Sequence, residues 1–251
     1  MGTGTSQGTP VIGCQCAVCI SKDSKDKRLR TSIFISGTNL KLCIDIGPDF
    51  RQQMLANNID ELDAILLTHE HNDHIAGMDD VRPFNFKHNK DMPIYATDRV
   101  QKVLHERFPY IFEARPYPGA PRVLLKTLSK DKSLVINGTS ILPIEVLHGK
   151  MSVLGFRIGN FTYITDAKTI HNEEFEKIKG TKYLVLNALH HEEHHSHFNL
   201  QEALAIIEEI NPTFAYLTHI SHQMGKYLSV QETLPKNVLL AYDNLTISVS
   251  N

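Results

Sequence analysis

The chain has no excess of positive charge, no long apolar run and few cysteines, and each shortage removes a class of function. Its 251 residues carry 26 Lys and Arg against 28 Asp and Glu, a net charge of -2. The phosphate neutralisation that drives nonspecific nucleic-acid binding therefore has no surplus of cations behind it, and nucleic acid is not an expected partner. No apolar stretch approaches the roughly 20 residues that cross a bilayer, so no membrane partner is expected either. The start, Met1-Gly2-Thr3-Gly4-Thr5, has neither a basic opening nor an apolar signal core, and the expected location is the cytoplasm. Of four cysteines, Cys43 lies inside the strand-like run 39–45 and reads as a small buried hydrophobe. The other three, Cys14, Cys16 and Cys19, crowd together. Three clustered thiols cannot all pair with one another, and in a reducing compartment Cys-x-Cys-x-x-Cys reads as three thiolate ligands awaiting a fourth.

What the chain has in quantity is histidine, 14 residues, and the positions matter more than the count. The run Thr68-His69-Glu70-His71-Asn72-Asp73-His74 directly follows the apolar stretch 63–67, which reads as a buried strand. A strand end is a fixed platform. His-x-His spacing points His69 and His71 the same way, while Asp73 and His74 reach a different point in space, a layout that suits two metals. Three single residues close apolar strands in the same manner: His148 after 140–147, Asp166 after 161–165 and His219 after 213–218. Five histidines and two aspartates at strand ends converge on one edge if the strands lie in packed sheets, and that is the inventory of a dinuclear site with a bridging carboxylate.

The remaining pattern alternates strands and helices. Residues 21–30 form a charged connector; strands are expected at 31–36 and 39–45, a helix at 49–58, the strand feeding the histidine run, and a helix at 98–107. The proline- and aromatic-rich segment 108–121 reads as an irregular covering loop or a substrate lid. The second half looks richer in antiparallel strands, at 122–128, 140–147, 153–158, 161–165, 182–186, 213–218, 238–242 and 245–249. A helix over 200–210 starts after Asn199, a good N-cap. There is no internal repeat beyond this strand-rich character. Two stacked sheets with outer helices fit the content.

With these residues in place, the chain resembles the metallo-β-lactamase superfamily, whose hydrolases carry H-x-H-x-D-H followed by His, Asp and His from later loops. The resemblance implies a four-layer αβ/βα sandwich, an α/β (α+β) fold formed as one domain over 1–251. It implies that His69, His71 and His148 hold one metal, that Asp73, His74 and His219 hold the other, and that Asp166 bridges them. Asp45, in Asp45-Ile46-Gly47, matches the strand-ending aspartate that orients a metal-bound histidine. Cys14, Cys16 and Cys19, together with Thr218-His219-Ile220-Ser221-His222, resemble the phosphoribosyl cyclic phosphodiesterases of the carbon-phosphorus lyase pathway. In that family three cysteines and the second histidine, here His222, make a closed structural zinc site. The same family places a histidine near the substrate phosphate where His197 stands, in Ser196-His197-Phe198-Asn199-Leu200. Its neighbours His190, His191, His194 and His195 carry no motif match and read as surface or accessory groups. Related chains usually have a strand ahead of the Gly-Thr-Gly-Thr-Ser-Gln loop, so the edge of the first sheet is expected to be exposed or differently completed. Residues 82–121 match no motif.

The expected function is a metal-dependent phosphodiesterase acting on a small cyclic or diester phosphate, with Asp73 able to take the nucleophile's proton and His197 acting as general acid. The expected cofactors are two divalent metals, zinc, manganese or iron, and one structural zinc. A homodimer is compatible with the sequence. Rival expectations are a tRNA 3′-processing nuclease with the same seven ligands, a pyrroloquinoline quinone biosynthesis protein of this fold, and a non-catalytic metal-binding protein. The low charge opposes the first, the full ligand set opposes the second, and a complete, open dinuclear site opposes the third.

Overall fold

The computed structural model describes residues 1–249. Its first half runs β1 (Ile33–Gly37), β2 (Leu40–Ile44), α1 (Phe50–Ala56), β3 (Ala64–Leu66), α2 (Asn72–Ile75), α3 (Arg82–His88), β4 (Met92–Ala96), α4 (Asp98–Arg107) and β5 (Val123–Thr127). These strands form a sheet in the order β1-β2-β3-β4-β5, antiparallel at β1/β2 and parallel thereafter. The second half runs β6 (Leu134–Ile136), β7 (Thr139–His148), β8 (Met151–Ile158), β9 (Phe161–Ile164), α5 (Asn172–Ile178), β10 (Tyr183–Asn187), α6 (Leu200–Ile210), β11 (Phe214–Thr218), α7 (Tyr227–Gln231) and β12 (Val238–Leu240). Its sheet has the order β12-β11-β10-β9-β8-β7-β6.

The apolar residues sort into three layers of core by strand alternation. Leu42, Ile44, Leu66, Leu154, Phe156, Tyr163, Val185 and Tyr216 meet between the two sheets. Cys43 and Ile65 point the other way, onto Phe50 of α1 and Val100 and Leu104 of α4. Ile164, Leu184, Leu186, Ala215 and Leu217 face Ile178 of α5 and Ala203 and Ile207 of α6. The result is helix, sheet, sheet, helix, the four-layer sandwich expected from the sequence. Because both faces of the central strands are covered, they read as continuous apolar runs rather than alternating ones.

Helix α4 has the expected bounds, and α6 begins on a capping box: the Asn199 carboxamide accepts the Glu202 amide N–H at 2.8 Å, and the Glu202 carboxylate accepts the Asn199 amide N–H at 2.9 Å. Two expectations need correcting. The second-half strands are antiparallel only from β6 to β9; β9, β10, β11 and β12 pair in parallel, because the helical crossovers return the chain in the same direction each time. Residues 245–249 form no strand. Their alternation reflects Leu245 and Ile247 packing onto the core between the sheets. Ahead of β1, the edge is neither bare nor a regular strand: Gly2 pairs with Ser32, Gly4 with both Arg30 and Ile220, and Thr9 with Arg28. The amino-terminal segment thus joins the start of the first sheet to the end of β11.

Close backbone packing sets the histidine run against the end of β2. The Ile46 amide donates to the His74 carbonyl at 2.8 Å, and the Gly77 amide to the Ile46 carbonyl at 2.7 Å. A Cβ on Gly47 would lie 2.0 Å from the Asp73 carbonyl oxygen, so only glycine allows this approach. Gly47→Ala should therefore destabilise the protein by about 1–3 kcal/mol or more, the range for overpacking against an immovable neighbour. Gly37→Ala, where a Cβ meets nothing within 4 Å, should stay within about 0.5 kcal/mol. Urea denaturation of the two variants checks the contrast.

Candidate metal centre

Site residues sit where strands end, and the backbone there is strained. Asp45 follows β2, Asp166 follows β9 and His219 follows β11, each with positive φ: 63°, 58° and 54°. Left-handed backbone at a non-glycine residue costs on the order of 1–2 kcal/mol and persists only where the surroundings enforce it. Here it turns three polar side chains inward at the common rim of the two sheets.

The histidine run is held from below by one carboxylate. Asp45, fully buried, accepts the Thr68 amide N–H at 2.8 Å on Oδ1. Its Oδ2 accepts the Thr68 hydroxyl at 2.9 Å and the His74 Nδ1–H at 2.6 Å. With its proton given to Asp45, the Thr68 hydroxyl accepts from His69 Nδ1, 2.9 Å away. Both histidines thereby carry a proton on Nδ1, and their Nε2 atoms are turned towards the basin. His148 is fixed the same way, its Nδ1 donating to the Ser196 carbonyl at 2.8 Å.

Above this floor the seven residues come together. His69 Nε2 lies 3.0 Å from His71 Nδ1, and the His148 ring is 5.1 Å from that of His71 and 5.9 Å from that of His69. His74 Nε2 is 3.2 Å from Asp73 Oδ2 and 3.3 Å from Asp166 Oδ2. His219 Nε2 is 3.1 Å from Asp166 Oδ1 and 3.8 Å from Asp73 Oδ2. Asp166 thus faces both clusters, with Oδ2 also accepting the Thr165 hydroxyl at 2.7 Å. His197 is inside the same basin, its Nδ1 3.9 Å from Asp166 Oδ1 and its ring against those of His148 and His219.

The donor set fits cations. His74 Nε2, His219 Nε2 and His197 Nδ1 are buried and make no hydrogen bond, an arrangement that costs free energy unless something electropositive completes it. Burial alone would raise the Asp73 and Asp166 carboxyls, yet neighbouring imidazoles, His74 and His219 foremost, hold both far below the ordinary carboxylate range. In turn burial would lower His74, but Asp166, Asp45 and Asp73 push it well above its ordinary value. Among the described residues, His69 with His74 and Asp166, Asp73 with His74 and His219, and His148 with Asp166 and His197 each bring ligand atoms within 4.8 Å of one another.

The cysteines form a second cluster. The Cys14 and Cys16 sulfurs lie 3.4 and 3.3 Å from His222 Nδ1, with Cys19 alongside. The Cys19 amide and His222 lower the Cys16 thiol to about 6, whereas burial raises Cys19 to about 11. The adjacent segment is tied to the amino terminus by the Ile220 amide donating to Thr3 at 2.9 Å and the Thr5 amide to Ile220 at 3.2 Å. The cluster therefore braces the loop that also presents His219.

Residues 41–220 match the family model of the β-lactamase superfamily domain. The chain belongs to the β-lactamase superfamily. Within that superfamily it is similar over 99% of its length to the crystal structure of a diphosphatase from the PhnP family, with a TM-score of 0.92 and 36% identity over 96% of that chain. It is thus PhnP-like and has the metallo-β-lactamase fold. Zinc-bound PqqB from Methylobacterium extorquens (TM-score 0.80, 19% identity, 99% of this chain and 98% of that one) and the short form of human tRNase Z (0.72, 16%, 100% and 98%) share the fold. An octanoyltransferase of Porphyromonas gingivalis is 38% identical over 247 residues, 98% of this chain. The chain spans half the length of that curated relative.

Three contributors were not foreseen from the sequence. Thr68 is one; a lone hydroxyl ahead of a histidine run carries no sequence signal of its own. The Ser196 carbonyl and the Arg99 guanidinium, 3.1 Å from Glu70 and bonded to the Ser152 carbonyl, are the others. Both pair residues distant in sequence, which leaves no local signal. Asp45→Asn should weaken metal binding about 10–100-fold, the usual effect of removing a group that orients a ligand. Thr68→Val, which frees His69 and removes one hydrogen bond to Asp45 but leaves Asp45 bonded to His74, should cost less. Competition with a chromophoric chelator measures both.

Proposed function

We propose that this protein cleaves a small cyclic or diester phosphate, with His69, His71 and His148 holding one divalent metal, Asp73, His74 and His219 a second, and Asp166 between them. The observation that carries the reading is the basin of buried imidazole nitrogens that make no hydrogen bond and crowd around the carboxylates of Asp73 and Asp166, a donor set suited to two adjacent cations. That the PhnP-family relative is a diphosphatase supports phosphorus as the reacting centre. When bound, such a metal pair supplies Lewis acidity towards phosphoryl oxygens and lowers the pKa of water enough for hydroxide to exist at neutral pH.

The chain's own groups divide the remaining work. Asp73, its side chain only 12% exposed, can accept the nucleophile's proton on a carboxylate oxygen. His197, its Nδ1 3.9 Å from Asp166 Oδ1, can protonate the leaving oxygen. Burial, then repulsion from His219, pushes its imidazole down to about 2. A bound phosphate anion would oppose both effects, so substrate binding favours protonation of His197. Cys14, Cys16, Cys19 and His222 would hold a structural zinc, which would brace the His219 loop.

A second reading, hydrolysis of an acyl thioester, is raised by the likeness to half of an octanoyltransferase. Turnover of bis(p-nitrophenyl) phosphate, a thioester, a β-lactam and a pre-tRNA by one preparation separates the classes, and the proposal expects the phosphodiester to be preferred. Metal analysis should find one tightly held zinc and two exchangeable metals per chain. Cys16→Ser should lose the first and melt at lower temperature. His71→Ala and Asp166→Asn should each abolish phosphodiester turnover.

His197→Ala makes a graded test. For a poor alkoxide leaving group the variant should lose about 10²- to 10⁴-fold in turnover, the range of general acid catalysis. With an activated aryl ester, which needs no proton, it should lose far less, and metal content should not change. Equal loss on both substrates would point to phosphate positioning instead.

A further inference from the structure

His69 and His148 are each turned into the basin by a hydrogen bond on Nδ1, His69 to the Thr68 hydroxyl and His148 to the Ser196 carbonyl. His71 stands between them without such an anchor. Its Nδ1 lies 3.0 Å from His69 Nε2, and among the described residues its ring makes no hydrogen bond outside the basin. The place of His71 is therefore set by the backbone on either side of it, at Glu70 and Asn72, the two residues interleaved with the ligands.

Both of those residues are held from α4. The Glu70 carboxylate, 16% exposed, lies 3.1 Å from the Arg99 guanidinium, and the Asn72 carboxamide oxygen accepts from the Arg107 guanidinium. Arg99 is in the first turn of α4 and Arg107 is its last residue. Between them Val100 and Leu104 are fully buried in the core beneath the first sheet, so the helix is a firm mount for both arginines. Arg99 has a further bond, its guanidinium donating to the Ser152 carbonyl of β8. In the β7/β8 hairpin Ser152 pairs with Leu147, and the adjacent Met151 pairs with His148. One planar guanidinium, its donors fixed in a fork, thus spans from the histidine run of the first sheet to the hairpin that presents His148 from the second.

Such a span matters to a metal whose ligands come from both sheets. An ion accepts its imidazole nitrogens within about 0.2 Å of their ideal distance, so the relative position of the two loops decides how tightly it is held. The Arg99 side chain is 42% exposed, and an exposed ion pair contributes little to folding. What the pair supplies is position.

We propose that Arg99 and Arg107 are positioning residues for one metal of the pair: they clamp the backbone on either side of His71, and Arg99 sets it against the hairpin that carries His148. The clamp rests on the reading of His69, His71 and His148 as the ligands of one ion.

The test measures the affinity of each exchangeable metal by competition with a chromophoric chelator. In Arg99→Gln one of the two metals should be held about 10–100-fold less tightly, the usual loss when a group that orients a ligand is removed. The other metal and the zinc at the cysteines should be held as in the wild type, and the metal-free protein should melt as the wild type does. Arg107→Gln should weaken the same metal by less, because it touches the run at a single exposed residue. Arg99→Lys, which keeps the charge but cannot reach both partners, should recover only part of the affinity. Added to His71→Ala, Arg99→Gln should cause no further loss, since the clamp acts through His71. Arg122→Gln, whose guanidinium pairs with Asp91 at 3.4 Å, should leave both metals unchanged. Should Arg99→Gln not fold, Glu70→Gln, which removes the charge facing Arg99 and keeps the side chain's shape, carries the same comparison. Unchanged affinities in Arg99→Gln would overturn the proposal. So would equal weakening of both metals, or the same loss with and without His71, either of which marks a general loosening of the fold. Failure of the ligand reading looks different: His71→Ala would itself leave both affinities unaltered, and the clamp would fall with it.

Discussion

Asp45 is an ionisable group with no exposure to solvent, and the cost of burying its charge is met by three hydrogen bonds from two residues. Burial tends to raise its pKa, and His74 and Thr68 oppose that tendency. The consequence reaches further than the carboxylate itself. The left-handed turn at Asp45 aims its side chain under the loop after β3, and Gly47 lets the Asp73 backbone approach. Thr68, held by Asp45 through both its amide and its hydroxyl, also accepts the Leu154 amide of β8 at 3.1 Å through its carbonyl. One residue thus orients two histidines and couples the first sheet to the second at the point where their ligands must meet.

The basin above is a balance of opposite charges that protein groups alone leave incomplete. Asp73 and Asp166 need positive charge to stay ionised while buried, and the imidazoles supply it only if protonated. Yet burial, with His74 adding repulsion, drives His69 well below its ordinary value. Crowding protonated imidazoles together is costly, and divalent cations answer both demands, since they satisfy the carboxylates and take neutral nitrogen lone pairs. The cysteine cluster does mechanical work by comparison. It joins the amino-terminal loop to the segment carrying His219, whose own backbone is strained.

Much of this was legible in the sequence because the site is built from strand ends. An apolar run followed by a histidine or aspartate announces both the strand and the inward-facing group, which is why His148, Asp166 and His219 could be named beside the dense run at His69. Helix α6 was legible for the same local reason, its Asn199 cap. The strand β4 was not, because Met92-Pro93-Ile94-Tyr95-Ala96 is short and contains a proline. Nor was parallel pairing in β9 to β12, since alternation reports which faces are buried and says nothing of strand direction. Leu245 and Ile247 show the same limit: buried on one side, they pair with no strand. Thr68, Ser196 and Arg99 act through contacts that only folding creates. His197 was legible by resemblance, but the depth of its burial and its contact with Asp166 were not.

On the proposed reading, two cations sit together around Asp166. Anomalous scattering from crystals of the protein, recorded on both sides of the metal absorption edges, tests it most directly. Two neighbouring peaks flanking Asp166, one towards His69, His71 and His148 and the other towards Asp73, His74 and His219, with a third among Cys14, Cys16, Cys19 and His222, is the predicted result. A basin with no anomalous peak in crystals grown with zinc or manganese, or a single peak bound without Asp166, would contradict it.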